Sequence, residues 1–183
     1  MTFSQHLFLL RFFLLEAYYN TNLSATNGFI FNHTMLRVKD PQVSLAFYQD
    51  VLGMTLLQTK RYPQAEFDLY FLAKLTDEQV ANLPTDTAAL AAFTFSQPGV
   101  LELTHNYGTE SDAEFHYHSG NSEPQGFGHI CFAVPNLQEA VAWVEQHQVT
   151  FKKRPEEGTM KDIAFILDPD GYWIEIVQPN LMG

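Results

Sequence analysis

The sequence predicts an α+β fold: two tandem β-α-β-β-β modules whose curved mixed sheets form one metal-containing cleft. Three observations predict it. The chain repeats itself. With His33 set on His129, Leu36 falls on Phe132, Val38 on Val134, Asp40 on Asn136 and Phe47 on Trp143 without gaps. Each copy opens with a histidine in an apolar strand and closes on a strand interrupted by one glutamate, His33 with Glu102 and His129 with Glu175. Finally, residues 164–177 read as two strands joined by Asp168-Pro169-Asp170-Gly171, where Pro presets φ, Asp bonds its own backbone and Gly accepts positive φ. Strand alternation puts Glu175 on the face of Trp173 and Val177. A carboxylate there is costly to bury unless a cation or hydrogen-bond donors meet it.

Taken in order, residues 1–26 form an apolar extension. Residues 7–19 are strongly apolar but interrupted by Arg11 and Glu16, and too short to span a bilayer. Without a basic leader or a small-residue cleavage site, a secretory signal is not expected; a helix packed on the body or on a neighbouring subunit is. The first module covers residues 27–107. Residues 31–38 alternate as a strand with His33, Met35 and Arg37 on one face. Asp40 and Pro41 supply an N-cap and a first helical residue, Leu45, Tyr48 and Leu52 an apolar stripe, and Gly53 a stop. Residues 54–61 and 66–73 read as strands around Tyr62-Pro63, residues 76–95 as an inserted helical excursion, and residues 100–104 as the strand broken by Glu102. Residues 108–125 are a polar linker. The second module, residues 126–183, carries a strand with His129, Cys131 and Ala133 on one face, a helix capped by Asn136, a short strand at 150–153, and the closing pair at 164–177.

The 183 residues suit one ordinary domain or two small modules sharing a core, and 46% hydrophobic content is ample to fill it. A formal net charge of −11 argues against nucleic acid and anionic membranes as partners. Lys152, Lys153, Arg154 and Lys161 nevertheless cluster, which suggests a small anionic ligand. The lone Cys131 excludes internal disulfides and suits a reducing, cytoplasmic setting; it reads as core packing. His116 and His118, in the linker, read as solvated, and His105 as a structural hydrogen-bonding residue.

A pseudo-twofold between the modules would bring His33, Glu102, His129 and Glu175 together. Two imidazoles and two carboxylates make an N₂O₂ set for a divalent ion and offset the cost of the buried acids. Such an ion is a Lewis acid beside an acidic C–H, and a loosely held glutamate can serve as base.

The chain also resembles glyoxalase I, the lactoylglutathione lyases of the vicinal oxygen chelate superfamily. The resemblance rests on residues 32–40 (NHTMLRVKD), 47–56 (FYQDVLGMTL), 68–73 (DLYFLA), 101–106 (LELTHN), 126–130 (GFGHI) and 168–176 (DPDGYWIEI). It implies isomerisation of the methylglyoxal–glutathione hemithioacetal to S-lactoylglutathione through an enediolate, with glutathione as co-substrate. It further implies Glu175 as principal base, Glu102 as second carboxylate and ligand, and one divalent ion held by His33, Glu102, His129 and Glu175. Arg37 and Asn106 match glutathione-binding positions; Lys153 and Met160 match positions in a loop that closes over the tripeptide. A homodimer follows too, with each site split between subunits. The chain's length and its insert are like the zinc-using forms, whereas shorter forms with a first-ligand histidine prefer nickel or cobalt; zinc is therefore favoured. Gln125 stands where relatives often have arginine, which implies a weaker hold on glutathione and a raised KM. Two other readings are weighed against this one. A metal dioxygenase of the same fold needs only two His and one Glu, so the fourth ligand counts against it. A non-catalytic binding module would leave all four titratable groups unexplained.

Overall fold

The structure, a computed structural model, describes residues 25–179; the apolar stretch at 7–19 lies outside the described residues. The first half opens with β1 (His33–Val38), in which Leu36 and Val38 are buried while His33, Met35 and Arg37 face outward. Asp40 accepts a hydrogen bond from the Gln42 amide and caps α1 (Pro41–Ala46), with proline in the first turn. The helix runs on as a wider π-type turn, Phe47–Val51, that buries Phe47 and Tyr48. β2 (Thr55–Tyr62) and β3 (Phe67–Ala73) pair antiparallel around the short turn Pro63–Ala65.

The expected insert is two helices, α2 (Asp77–Ala81) and α3 (Thr87–Ser96). Thr76 and Gln79 close a reciprocal capping box on the first, and Asp86 caps the second. β4 (Val100–Asn106) then enters between β1, to which it is parallel, and β3, to which it is antiparallel.

The second half repeats this plan with β5 (His129–Ala133), α4 (Leu137–Gln146) capped by Asn136, β6 (Phe151–Lys153), β7 (Ile163–Leu167) and β8 (Trp173–Val177). Among the described residues the strands form two four-stranded sheets, ordered β1-β4-β3-β2 and β5-β8-β7-β6. The matching order, with one parallel pair in each sheet, is what a duplicated module requires.

The core belongs to both halves. Leu36, Val38, Tyr48, Leu72 and Leu103 join Leu137, Val144, Ile166, Ile174 and Ile176 in one buried cluster. Each such side chain contributes roughly 1.5–3 kcal/mol by leaving water. A polar clamp runs through the same region. Tyr48 Oη donates to Asp168 Oδ2 at 2.8 Å in a buried setting. The other Asp168 oxygen accepts from the Asp170 and Tyr172 amides, and Asp170 accepts from the Lys39 amide and Ser44 Oγ. The turn that closes the second sheet is thereby fastened to the helix of the first half, and Gly171 at φ +83° lets the chain reverse there. Trp143 of α4 adds a third tie, donating from Nε1 to the Val51 carbonyl at 2.8 Å. In the linker, a Cβ on Gly120 would fall 2.2 Å from the Phe127 carbonyl oxygen, so this approach to the start of the second half demands glycine. No helix among the described residues is long and apolar enough to cross a membrane.

Candidate metal centre

Two His–Glu pairs stand at equivalent places in the two sheets. In the first, the parallel register sets Met35 against Glu102, so Glu102 lies one side-chain step along from His33 on the same face. His33 Nε2 is 3.4 Å from Glu102 Oε2. In the second, Cys131 pairs with Glu175, and His129 Nε2 is 3.3 Å from Glu175 Oε2. Both carboxylates are well covered, at 13% and 18% side-chain exposure, while both imidazoles remain open at 37% and 41%. Aromatic edges wall the rings: Phe71 and Phe95 at His33, Phe165 at His129. Such apolar walls strengthen charge interactions beside them. Thr104 Oγ1 donates to the free oxygen of Glu102 at 3.2 Å.

Each pair offers one imidazole nitrogen and one carboxylate, a donor set that fits zinc, nickel or cobalt. Within one chain the four side chains do not gather. Among the described residues, no three His, Cys, Asp or Glu side chains could hold one ion together. The reason is topological. β1 and β5 lie in different sheets, each at an outer position, and each is hydrogen-bonded to a single neighbour among the described strands. The repeat makes the two histidines equivalent without making them adjacent. A cavity of about 520 Å³ runs beside β5, with Thr34, Val100 and Leu101 on one side and His129, Cys131 and Ala133 on the other.

Cys131 is exposed, which corrects its reading as a core residue. Alternation along β5 could not reveal that the strand ends its sheet. Desolvation by its surroundings and then the adjacent Glu175 carboxylate push the thiol up to about 11, so it is no thiolate nucleophile.

Arg37 and Asn106 meet: Nη1 of the arginine donates to Oδ1 of the amide at 2.6 Å, at the end of the strands that carry His33 and Glu102. Lys153 and Met160 also meet, but through backbone. The Lys153 ammonium donates to the carbonyls of Arg154, Met160 and Ile163, tying the basic loop to itself, while the Met160 side chain is exposed. His118 is taken up by the Pro124 carbonyl and His116 by that of Glu114. His105 is buried against Glu110 at 2.7 Å.

The apolar stripe of the first helix does not reveal the Tyr48–Asp168 bond of the core, because the partner lies 120 residues away. At the site itself Asn32 has no mark in the strand pattern; the signal that could find it is an amide next to a metal-type histidine.

The chain matches the model of the glyoxalase/bleomycin resistance protein/dioxygenase superfamily over residues 30–176. It is 54% identical over 156 residues to the lactoylglutathione lyase of Pseudomonas putida, covering 85% of this chain and 88% of that one. It is 52% identical over 158 residues to the lactoylglutathione lyase of Pseudomonas aeruginosa, covering 86% and 87%. Among solved structures it is similar to the trypanothione-dependent glyoxalase I of Leishmania major, with a TM-score of 0.59 and 32% identity over 83% of this chain and 88% of that one.

Proposed function

The chain belongs to the glyoxalase/bleomycin resistance protein/dioxygenase superfamily, and from that premise we propose that it is a lactoylglutathione lyase, a metal-dependent isomerase of the methylglyoxal–glutathione hemithioacetal. The observation that carries this reading is the pair of matching His–Glu half-sites on equivalent strands, in a chain 54% identical to a relative of that name.

His33, Glu102, His129 and Glu175 would hold one divalent ion, with zinc favoured over nickel or cobalt. When bound, the ion supplies positive charge that stabilises an oxyanion on the substrate. The remaining chemistry belongs to side chains. Glu175 takes the proton from the carbon that carries sulfur and returns it to the neighbouring carbon. The first carbon thereby becomes the thioester carbonyl and the second a carbinol, with no net oxidation. Glu102 is the partner carboxylate on the opposite side. Arg37, held by Asn106, and the loop tied by Lys153 and bearing Met160 are the glutathione-binding elements.

Within one chain each half-site has only two donors, and its histidine stands on the outer strand of a sheet, β1 or β5. These facts support a homodimer in which the β1 edge of one protomer meets the β5 edge of its partner, completing two sites. The lone cysteine supports a cytoplasmic setting.

Absorbance at the thioester band tests the reading directly. Methylglyoxal plus glutathione should give thioester with the purified protein, lose that signal on chelation and regain it with added zinc. Absence of thioester with metal-loaded protein would refute it.

A further inference from the structure

We propose that Asn32 is a positioning residue for the first half-site: it hangs the His33 ring from the last turn of the inserted helix α3 and fixes the ring proton on Nδ1. This rests on His33 being a metal ligand.

An amide side chain has one accepting oxygen and one doubly donating nitrogen, and near-equal electron density means that only its partners tell them apart. Here the partners decide. Asn32 Nδ2 lies 3.1 Å from the Thr94 carbonyl and 2.7 Å from the Gln97 carbonyl. Both can only accept, so the nitrogen faces the helix and Oδ1 faces the ring. Asn32 Oδ1 is 2.8 Å from His33 Nδ1. That oxygen can only accept, so Nδ1 carries a proton. In the neutral ring the lone pair is then left on Nε2, the atom that faces Glu102 at 3.4 Å. A divalent ion needs that lone pair, and an outer partner on the other nitrogen fixes both tautomer and ring orientation.

The anchor is rigid. The Thr94 carbonyl takes only a long 3.4 Å bond from the Gln97 amide, and carbonyls at a helix's end carry partial negative charge, so they suit an amide N–H₂. Thr94 is fully buried; its hydroxyl donates to the Leu90 carbonyl and accepts from Gln58 Nε2 of β2. Phe95 of the same turn stands edge-on to His33 and to Phe71. The insert therefore grips the ring twice, by hydrogen bond and by packing. At the second half-site, Gly128 occupies the place of Asn32, and no hydrogen bond to His129 Nδ1 is found among the described residues.

Long-range ¹H–¹⁵N NMR of the metal-free protein, at a pH where imidazole is neutral, reads the tautomer without any variant. His33 should be protonated on Nδ1 and free on Nε2; the opposite tautomer overturns the proposal. Chelator competition then measures zinc affinity. Asn32→Ala should weaken zinc by about 10–100-fold, and Asn32→Asp should do likewise, because a carboxylate would face two carbonyls. Wild-type affinity in a folded Asn32→Ala protein also overturns the proposal. His33→Ala separates the two levels. If it binds zinc as the wild type does, the ligand assignment fails; if it loses zinc while Asn32→Ala keeps it, the positioning role alone fails.

Discussion

The two His–Glu pairs are alike in spacing and unlike in support. His33–Glu102 and His129–Glu175 differ by only 0.1 Å, at 3.4 and 3.3 Å, and their carboxylates are similarly covered. Around the first, Asn32, α3 and two phenylalanine rings brace the imidazole. Around the second stand Phe165, an exposed thiol and a glycine just upstream. Duplication thus reproduces the donor atoms, because they sit on strands that the repeat fixes. It reproduces Phe71 and Phe165 as well, each paired with its glutamate; the surroundings that differ, Asn32 before the strand and Phe95 in the insert, lie outside the strands, where sequence diverges freely. On the function proposed above, the two sides would divide the work: a braced side that holds the ion, and a side whose glutamate moves the proton.

The sharpest way to break this comparison is to neutralise each glutamate in turn. Glu175→Gln should lower kcat by about 10²–10⁴-fold, the range of a lost general base, with substrate binding kept. Glu102→Gln should cost less turnover. Equal losses would show that the pairs share the proton work. Next in size is the clamp between the halves. Tyr48→Phe strands a buried carboxylate oxygen and should destabilise the fold by about 1–3 kcal/mol, read from the denaturant midpoint. The exposed tie through Trp143 should matter less on replacement by Phe.

A smaller effect tests the same clamp by pH. Burial outweighs the donors around Asp168 and raises its carboxyl to about 6. The folded chain therefore keeps a proton that the unfolded chain releases near about pH 4. This group's stabilising contribution is complete below about pH 4 and is lost as pH rises through about 6. Asp168→Asn cannot titrate, so its stability should lack that decline. The least effect is expected in the linker, where Gln125→Arg should lower KM for the hemithioacetal a few-fold, the worth of one exposed charged contact of up to about 1 kcal/mol. Unchanged KM would remove Gln125 from the glutathione site.

Much of this was legible in the chain itself. Asp40 and Asn136 announced helix starts because capping is local chemistry. Alternation assigned Glu175 to the face of Trp173 and Val177, opposite the buried Ile174 and Ile176, since the two-residue period is a property of the strand itself. What stayed hidden was long-range or topological. Neither the Tyr48–Asp168 bond nor the reach of Asn32 to a helix more than sixty residues on has a local signature. The repeat marks His33 and His129 as equivalent, but only strand order shows that they stand at the ends of separate sheets.

The shared cluster and the Tyr48–Asp168 bond carry one more implication. Their buried members all lie outside residues 108–125, with Tyr117 only packing at the edge, so the continuity of the backbone there is dispensable to their cohesion. A protease nick in that stretch should leave two pieces that stay bound to each other. The same two pieces, expressed apart, should find one another and rebuild the whole by complementation.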